Sequence, residues 1–339
     1  MWQWSRYLCK QAAARGKTPL FLNLDETSVP VVFSGNKGTV MVRGGRAAWV
    51  PPRLSASAAE TRMHFTHVAI VCDVPEIQPL LPQVLFVAAA SLNSAEMASL
   101  ADQLPNNVFV KRLPSGWNNS VQHKIIIKIL GMVLTPYLTQ YQPILSFDAA
   151  PLHLTVEVLA EIQAASMWFL VIPARATWLL QPLDTHVFLK YKRFIKRRFA
   201  ETLMAASDDS KAKSMIKLVV EAARYVLQAH EWQAAFQQNG VWRDQCGLRA
   251  TLKRELQYDD TPEVADSMPT PEQLRLCWPR NRVFDEGAIV SFLPVAPPVP
   301  TPGAVHASPS SSTPAAAAAV PKALPKKRLR SKSACDLYG

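Results

Sequence analysis

At 339 residues, 49% of them apolar, the chain can hold one large domain or two and is too rich in core-forming residues to be disordered throughout. Its net charge of +11 points to a polyanion, either nucleic acid or an acidic membrane surface. Five scattered cysteines without zinc-ligand spacing read as reduced thiols, the N-terminus shows no apolar signal region, and no apolar run is long enough to span a membrane, so a soluble intracellular protein is expected.

Residues 1–17 form an N-terminal segment of helical character. PLFLNLD (19–25) is an apolar run that ends in an acid and reads as a buried strand. GTVMVRGG (38–45) looks like a hairpin arm between glycine turns, and Lys37, Arg43 and Arg46 around it serve either as a clasp for a polyanion or as surface charge. FTHVAIVCDV (65–74), QVLFVAAA (83–90) and VFVKRL (108–113) are further strands. A helix follows from Asn118 to Tyr137, with Val121, Ile125, Ile129 and Met132/Val133 at helical spacing. QPILSFD (142–148) is a second apolar strand ending in Asp, Thr155–Ala165 a helix, and MWFLVIP (167–173) a third buried strand closed by proline. A long helix is expected after Asp184, with Val187, Tyr191, Phe194/Ile195 and Phe199 on one side and Lys190, Arg193 and Arg197 on another. Ser214–Gln237 continues as helix, and residues 256–293 form a helical and irregular extension. From Pro294 to residue 339 the Pro, Ala, Ser and Thr composition predicts a disordered tail. That tail holds six Lys or Arg against one acid, leaving +6 for the body. The order of elements predicts an α/β fold, a mixed sheet with helices on its faces.

Three acids stand at structural boundaries. Asp25 and Asp148 each end an apolar strand, where an acid commonly stabilises a turn. Asp184 precedes a helix, where Asp is a favoured N-cap. Together they form a set of hard oxygen ligands at the carboxyl edge of a sheet, suited to Mg²⁺ or Mn²⁺. Two such ions about 4 Å apart serve phosphoryl transfer. The basic stretch Lys190–Arg198 reads either as a solvated helix face or as a track for phosphates.

These residues together resemble the DDE-superfamily transposases, in the pogo-like branch that closes its triad with Asp. FLNLDET (21–27) is similar to the first-acid motif and SGWNNS (115–120) to the Gly-Trp segment. ILSFDAAPLH (144–153) resembles the second-acid motif and LVIPARATWLLQPLD (170–184) the third. AFQQNGVW (235–242) resembles the short segment after the core. The resemblance implies an RNase H-like catalytic core over 18–255, DNA strand cleavage and transfer with two Mg²⁺ or Mn²⁺ ions, and Asp25, Asp148 and Asp184 as catalytic metal ligands. It implies DNA as the partner, contacted by Lys190, Arg193, Lys196 and Arg197, and paired subunits. His153 matches a motif position, as a structural histidine or a phosphate contact. Lys326, Lys327, Arg328 and Arg330 in PKKRLRSK fit a nuclear import signal, hence a nuclear location.

Departures are visible. Ala149 stands where the family usually has Asn, and Ala174, Arg175 and Trp178 replace the usual Pro, Asn and His. Only 24 residues precede Asp25, where the family carries DNA-recognition domains. These departures keep open a second expectation, a domesticated or truncated core that binds nucleic acid without cutting it. Trp2, Trp4, Trp168, Trp178 and Trp232 are expected to pack in the core or between helices.

Overall fold

Proline and glycine divide the apolar runs into strands, and the longest of them, β1 (Thr18–Pro30), organises the sheet. The computed structural model describes residues 1–31, 40–41, 53–54, 63–204, 209–244, 247–261, 267–279 and 283–294. These residues lie within one unit, Met1–Pro297. The expected tail beyond residue 294, with its Lys326–Arg330 cluster, and the hairpin cations Lys37, Arg43 and Arg46 lie outside the described residues. Of that hairpin, β2 (Val40–Met41) pairs antiparallel with β3 (Arg53–Leu54).

The main sheet contains β1, β4 (His64–Cys72), β5 (Gln83–Ala88), β6 (Val108–Leu113), β7 (Tyr141–Asp148) and β8 (Trp168–Ile172), in the order β6-β5-β4-β1-β7-β8. β1, β4 and β5 form an antiparallel meander, while β7 runs parallel to β1 and β8 parallel to β7. This is an RNase H-like arrangement, a mixed sheet with helices on both faces. Eight of the nine residues of β4 are buried, as in a strand covered on both sides. No described helix is long and apolar enough to cross a membrane.

The first strand overruns its expected end. It continues past Asp25 to Pro30 because its antiparallel partner β4 keeps pairing, with Asp25 opposite Ala69 and Pro30 opposite His64. Its parallel pairing to β7 stops at Asn23–Ser146. Asp25 therefore lies at a strand end on one side only.

One face of the sheet receives α1 (Trp2–Ala14), whose Trp4 ring meets Phe169 edge-on at 5.7 Å. After the short helix α2 (Ser94–Ala101), α3 (Ser120–Leu134) packs on α4 (Val156–Ala164). The buried stripe of α3 is His123, Ile126, Ile127, Leu130 and Leu134; Val121 and Met132 are exposed, contrary to the periodicity expected. Exposed Lys128, with Val121 and Met132, marks the outer side of the helix, and close approach fixes the inner one. A Cβ on Gly131 would lie 2.7 Å from the Ala165 Cβ, so only glycine lets this side of α3 contact the end of α4.

The other face receives α6 (Phe188–Met204), preceded by the short helix α5 (Thr177–Leu180) and a π-helical turn, Leu183–Val187. Val187, Tyr191, Ile195 and Phe199 are buried, as the spacing predicts, and Tyr191 Oη lies 2.7 Å from His67 Nδ1 on β4. The helix expected over Ser214–Gln237 is broken. It comprises α7 (Lys211–Ala222), a π-helical turn to Gln228, and α8 (Gln233–Gln238). Trp232 accounts for the break: its indole N–H donates to the Leu227 carbonyl at 2.9 Å and satisfies a terminal acceptor. Trp2, Trp4 and Trp232 are buried as expected, but Trp178 is 57% exposed.

Candidate active site

The acid-bearing elements are joined by one buried amide. Asn23 lies two residues before Asp25 on the same face of β1, and Ser146 two residues before Asp148 on β7. The Asn23 amide donates to the Ser146 carbonyl at 3.0 Å, and its oxygen accepts the Leu183 N–H at 2.9 Å. Ser146 Oγ in turn donates to the Leu22 carbonyl at 2.8 Å. Leu183 is the residue before Asp184. A single side chain thus ties two strands and the π-helical turn together next to their acids.

Each acid reports its neighbours electrostatically. Burial holds the Asp25 carboxyl well above the usual range, and the charges of Asp184 and Asp148 push it further. Burial also raises Asp184, against a Thr177 hydrogen bond and the Lys192 charge, and Asp148 adds repulsion. Burial favours neutral Asp148 as well, but the charged His153 and the Ala150 N–H at 3.1 Å hold it below its ordinary value. Asp184 is exposed, and Asp25 and Asp148 are partly so. The three carboxyls therefore act on one another at one open edge, though they are not drawn within 4.8 Å of one another as Glu26, His123 and His153 are.

Asp184 does not cap its helix. It sits inside the π-helical turn, which begins after Pro182 with no side-chain cap bond. A π turn holds one extra residue, which shifts the helix that follows. Lys192, eight residues on, is the cation whose charge reaches Asp184. From the sequence the expected phosphate contacts are Lys190, Arg193, Lys196 and Arg197, without Lys192. All four of those are exposed on α6, with the Lys190 ammonium 5.1 Å above the Trp232 ring.

On the opposite face of β1, Glu26 meets two histidines. His153 is buried on the 3₁₀ turn Pro151–Leu154, with Nδ1 2.7 Å from Asp148 Oδ1 and Nε2 3.8 Å from Glu26 Oε1. Burial opposes its charge, but Asp148 and Glu26 raise it to about 10, so it is a cation at neutral pH. His123 Nδ1 lies 4.0 Å from the same Glu26 oxygen, and burial together with the His153 charge keeps its ring neutral. The Asn118 amide nitrogen lies 2.5 Å from Glu26 Oε1 and 3.2 Å from His123 Nδ1. Gly116, at φ +71°, sets up this approach, since a Cβ there would stand 2.9 Å from the Ala88 nitrogen.

Glu26, His123 and Asn118 were not singled out from the sequence. Glu26 was hidden beside Asp25, because neighbouring strand residues face opposite ways. His123 was hidden as a single histidine on the buried side of a long helix. Around the third acid, Arg175 adopts the left-handed φ of +65° and accepts the Trp178 indole N–H at 3.0 Å. Asn tolerates that backbone region better than Arg does.

No protein-family model matches the chain, and no curated protein matches it. Among solved structures it is similar to the Mos1 transposase paired-end complex with left transposon end, at 14% identity over 72% of this chain and 63% of that one, with a TM-score of 0.33. The Mos1 mariner paired end complex with Mn gives 15% identity, coverages of 70% and 62%, and a TM-score of 0.32. The Mos1 Strand Transfer Complex gives 14%, 71% and 63%, and 0.33. The chain spans less than two thirds of the length of each of these.

Proposed function

We propose that this protein cleaves DNA phosphodiesters and transfers the freed strand ends, as a transposase-derived endonuclease with Asp25, Asp148 and Asp184 as its metal ligands. The observation that supports this most is the convergence of three acids, 123 and 36 positions apart in sequence, on one open edge where their charges oppose one another. Such a cluster is costly without cations, and its all-oxygen donor set fits Mg²⁺ or Mn²⁺. When bound, two such ions supply Lewis-acid activation of the attacking oxygen and neutralisation of the leaving one.

The chain's own residues account for the rest of the chemistry. The buried Asn23 amide holds the three backbones in register, and charged His153 keeps Asp148 ionised and oriented. Lys192 favours the ionised form of Asp184. On α6, Lys190, Arg193, Lys196 and Arg197 offer exposed charge for the phosphate backbone. In the reaction water attacks phosphorus, the bond from phosphorus to the 3′ oxygen breaks, and a 3′-hydroxyl and a 5′-phosphate result. That hydroxyl then attacks a phosphodiester of the target and displaces its 3′ oxygen. Pairing of two copies on DNA, and a nuclear location through Lys326, Lys327, Arg328 and Arg330, belong to the same proposal.

The test is nicking of supercoiled plasmid by the full chain with Mn²⁺ or Mg²⁺. Asp148→Asn is expected to reduce nicking to the level seen with chelator, with an unchanged circular dichroism spectrum. Equal nicking by both proteins would overturn the catalytic reading. Salt-sensitive DNA binding without nicking would identify a binding module instead.

A further inference from the structure

We propose that Glu26, His123 and His153 form a second cation site, for one zinc-class transition metal, on the face of β1 opposite the three aspartates. Each of the three offers one donor atom within 4.8 Å of the others, and Glu26 Oε1 lies between His123 Nδ1 at 4.0 Å and His153 Nε2 at 3.8 Å. Two nitrogens and one carboxylate oxygen suit zinc, cobalt and similar ions, whereas the all-oxygen edge suits magnesium or manganese. The two sites thus select different metals by ligand chemistry.

The spacing argues for an ion more than for a hydrogen-bond network. His153 Nε2 is buried without a hydrogen-bond partner, and its 3.8 Å to Glu26 is beyond hydrogen-bond range. His123 Nδ1 stands 4.0 Å from the same oxygen, and the two rings face each other at 4.6 Å. Bonds of about 2.0–2.1 Å in a tetrahedral site put ligand atoms about 3.4 Å apart. A contraction of about half an ångström at each donor therefore closes the site, with water as a fourth ligand. The Asn118 amide nitrogen now occupies part of this space. Asn118 is only partly buried, so it can swing outward as the ion arrives.

A second feature points the same way. His153 presents Nδ1 to Asp148 Oδ1 at 2.7 Å while Nε2 faces the cluster. That is the carboxylate–histidine–metal relay by which metal-bound imidazoles are oriented. Metal uptake displaces the Nε2 proton to solvent and leaves the Nδ1–H on Asp148. The ion would fasten β1, α3 and the His153 turn together, and so fix the position of Asp148 from behind.

Co²⁺ titration of the full chain, followed by visible absorption, tests this independently of DNA cleavage. One equivalent is expected to give the intense ligand-field bands of four- or five-coordinate cobalt. His123→Gln and Glu26→Gln should each abolish those bands or weaken Co²⁺ binding by on the order of tenfold or more. Asp184→Asn should leave them unchanged. Should His123→Gln fail to fold, Glu26→Gln, at a partly exposed position, decides alone. The proposal is overturned if wild type gives only weak octahedral bands, if a folded Glu26→Gln keeps the intense ones, or if Asp184→Asn removes them. Failure of the nicking assay would not alter any of these outcomes.

Discussion

Three places in this sheet put an aspartate at the end of an apolar run, and they treat it in two opposite ways. Asp73 follows β4 just as Asp148 ends β7, yet it is sealed: 2% exposed, it accepts the Phe21 N–H at 2.9 Å and faces Arg243 Nη2 at 3.1 Å. It lies opposite Phe21, four residues back along β1 from Asp25, or about 13 Å at the rise of a strand. Asp25 has further acids for neighbours instead of an arginine, and the edge is open. Burial raises both carboxyls. At Asp73 the local charge opposes that rise, and at Asp25 it adds to it. A strand-end acid is therefore not by itself a functional signal; acidic neighbours that outweigh the nearby cations, and the access to solvent, make it one.

The sealed acid should contribute strongly to the pH dependence of stability, beside Asp25, whose carboxyl burial also holds well above its ordinary range. Burial pushes Asp73 up to about 7, against the Arg243 charge and the Phe21 N–H. Its folded value exceeds the unfolded one of about 3.9, so its contribution is fully present below pH 4 and is lost as pH rises through 7. Unfolding free energy from urea titrations should fall by up to about 4 kcal/mol over that window. Asp73→Asn should flatten this slope. Arg243→Met should cost under about 1 kcal/mol at pH 7 and about 3 kcal/mol at pH 9, because the unpaired carboxyl then stays protonated only at rising expense. A slope unchanged in Asp73→Asn would mean that Asp73 is not the group responsible.

Asn23 supports the open edge without a charge of its own. Asn23→Leu keeps the volume but strands the buried Leu183 N–H and Ser146 carbonyl, so a loss of about 2–4 kcal/mol is expected in urea melts. Nicking should fall with it even at temperatures where the variant stays folded, since Asp184 then loses its fixed distance from Asp25. Unimpaired nicking in a folded Asn23→Leu would show that the acids hold their positions without this amide.

Apart from the far half of β1, strand positions were legible because the strands of the main sheet are short apolar runs bounded by breakers: VFVKRL became β6 residue for residue, and Pro173 follows the end of β8. The core side of α6 was legible too, since charges mark its other sides. What could not be read depended on contacts between elements. The face of α3 rests on the fit of Gly131 to Ala165, a contact that periodicity cannot see. The exposure of Trp178 follows from the short helix Thr177–Leu180 turning its Leu179 and Leu180 inward. The three acids were visible one by one, and the family resemblance grouped them. Their link through Asn23, and the Glu26 pair of histidines behind them, required the register of β1 against β7 and β4.

The last contrast lies in sign more than in size. In chelator, Asp184→Asn removes one of three mutually repelling charges from a solvent-facing position, and stability should rise by roughly 0.5–1 kcal/mol. With Mg²⁺ or Mn²⁺ in excess the order should reverse. The wild type then gains binding free energy that grows with the logarithm of ion concentration, and the variant gains little. Thermal melts with and without the ion would show the two curves crossing. Asp73→Asn, at the sealed site, should show no ion dependence beyond that of the wild type. If Asp184→Asn instead destabilises the ion-free protein, then Asp184 is a structural acid of the same kind as Asp73, and the open edge loses its claim to be a metal site.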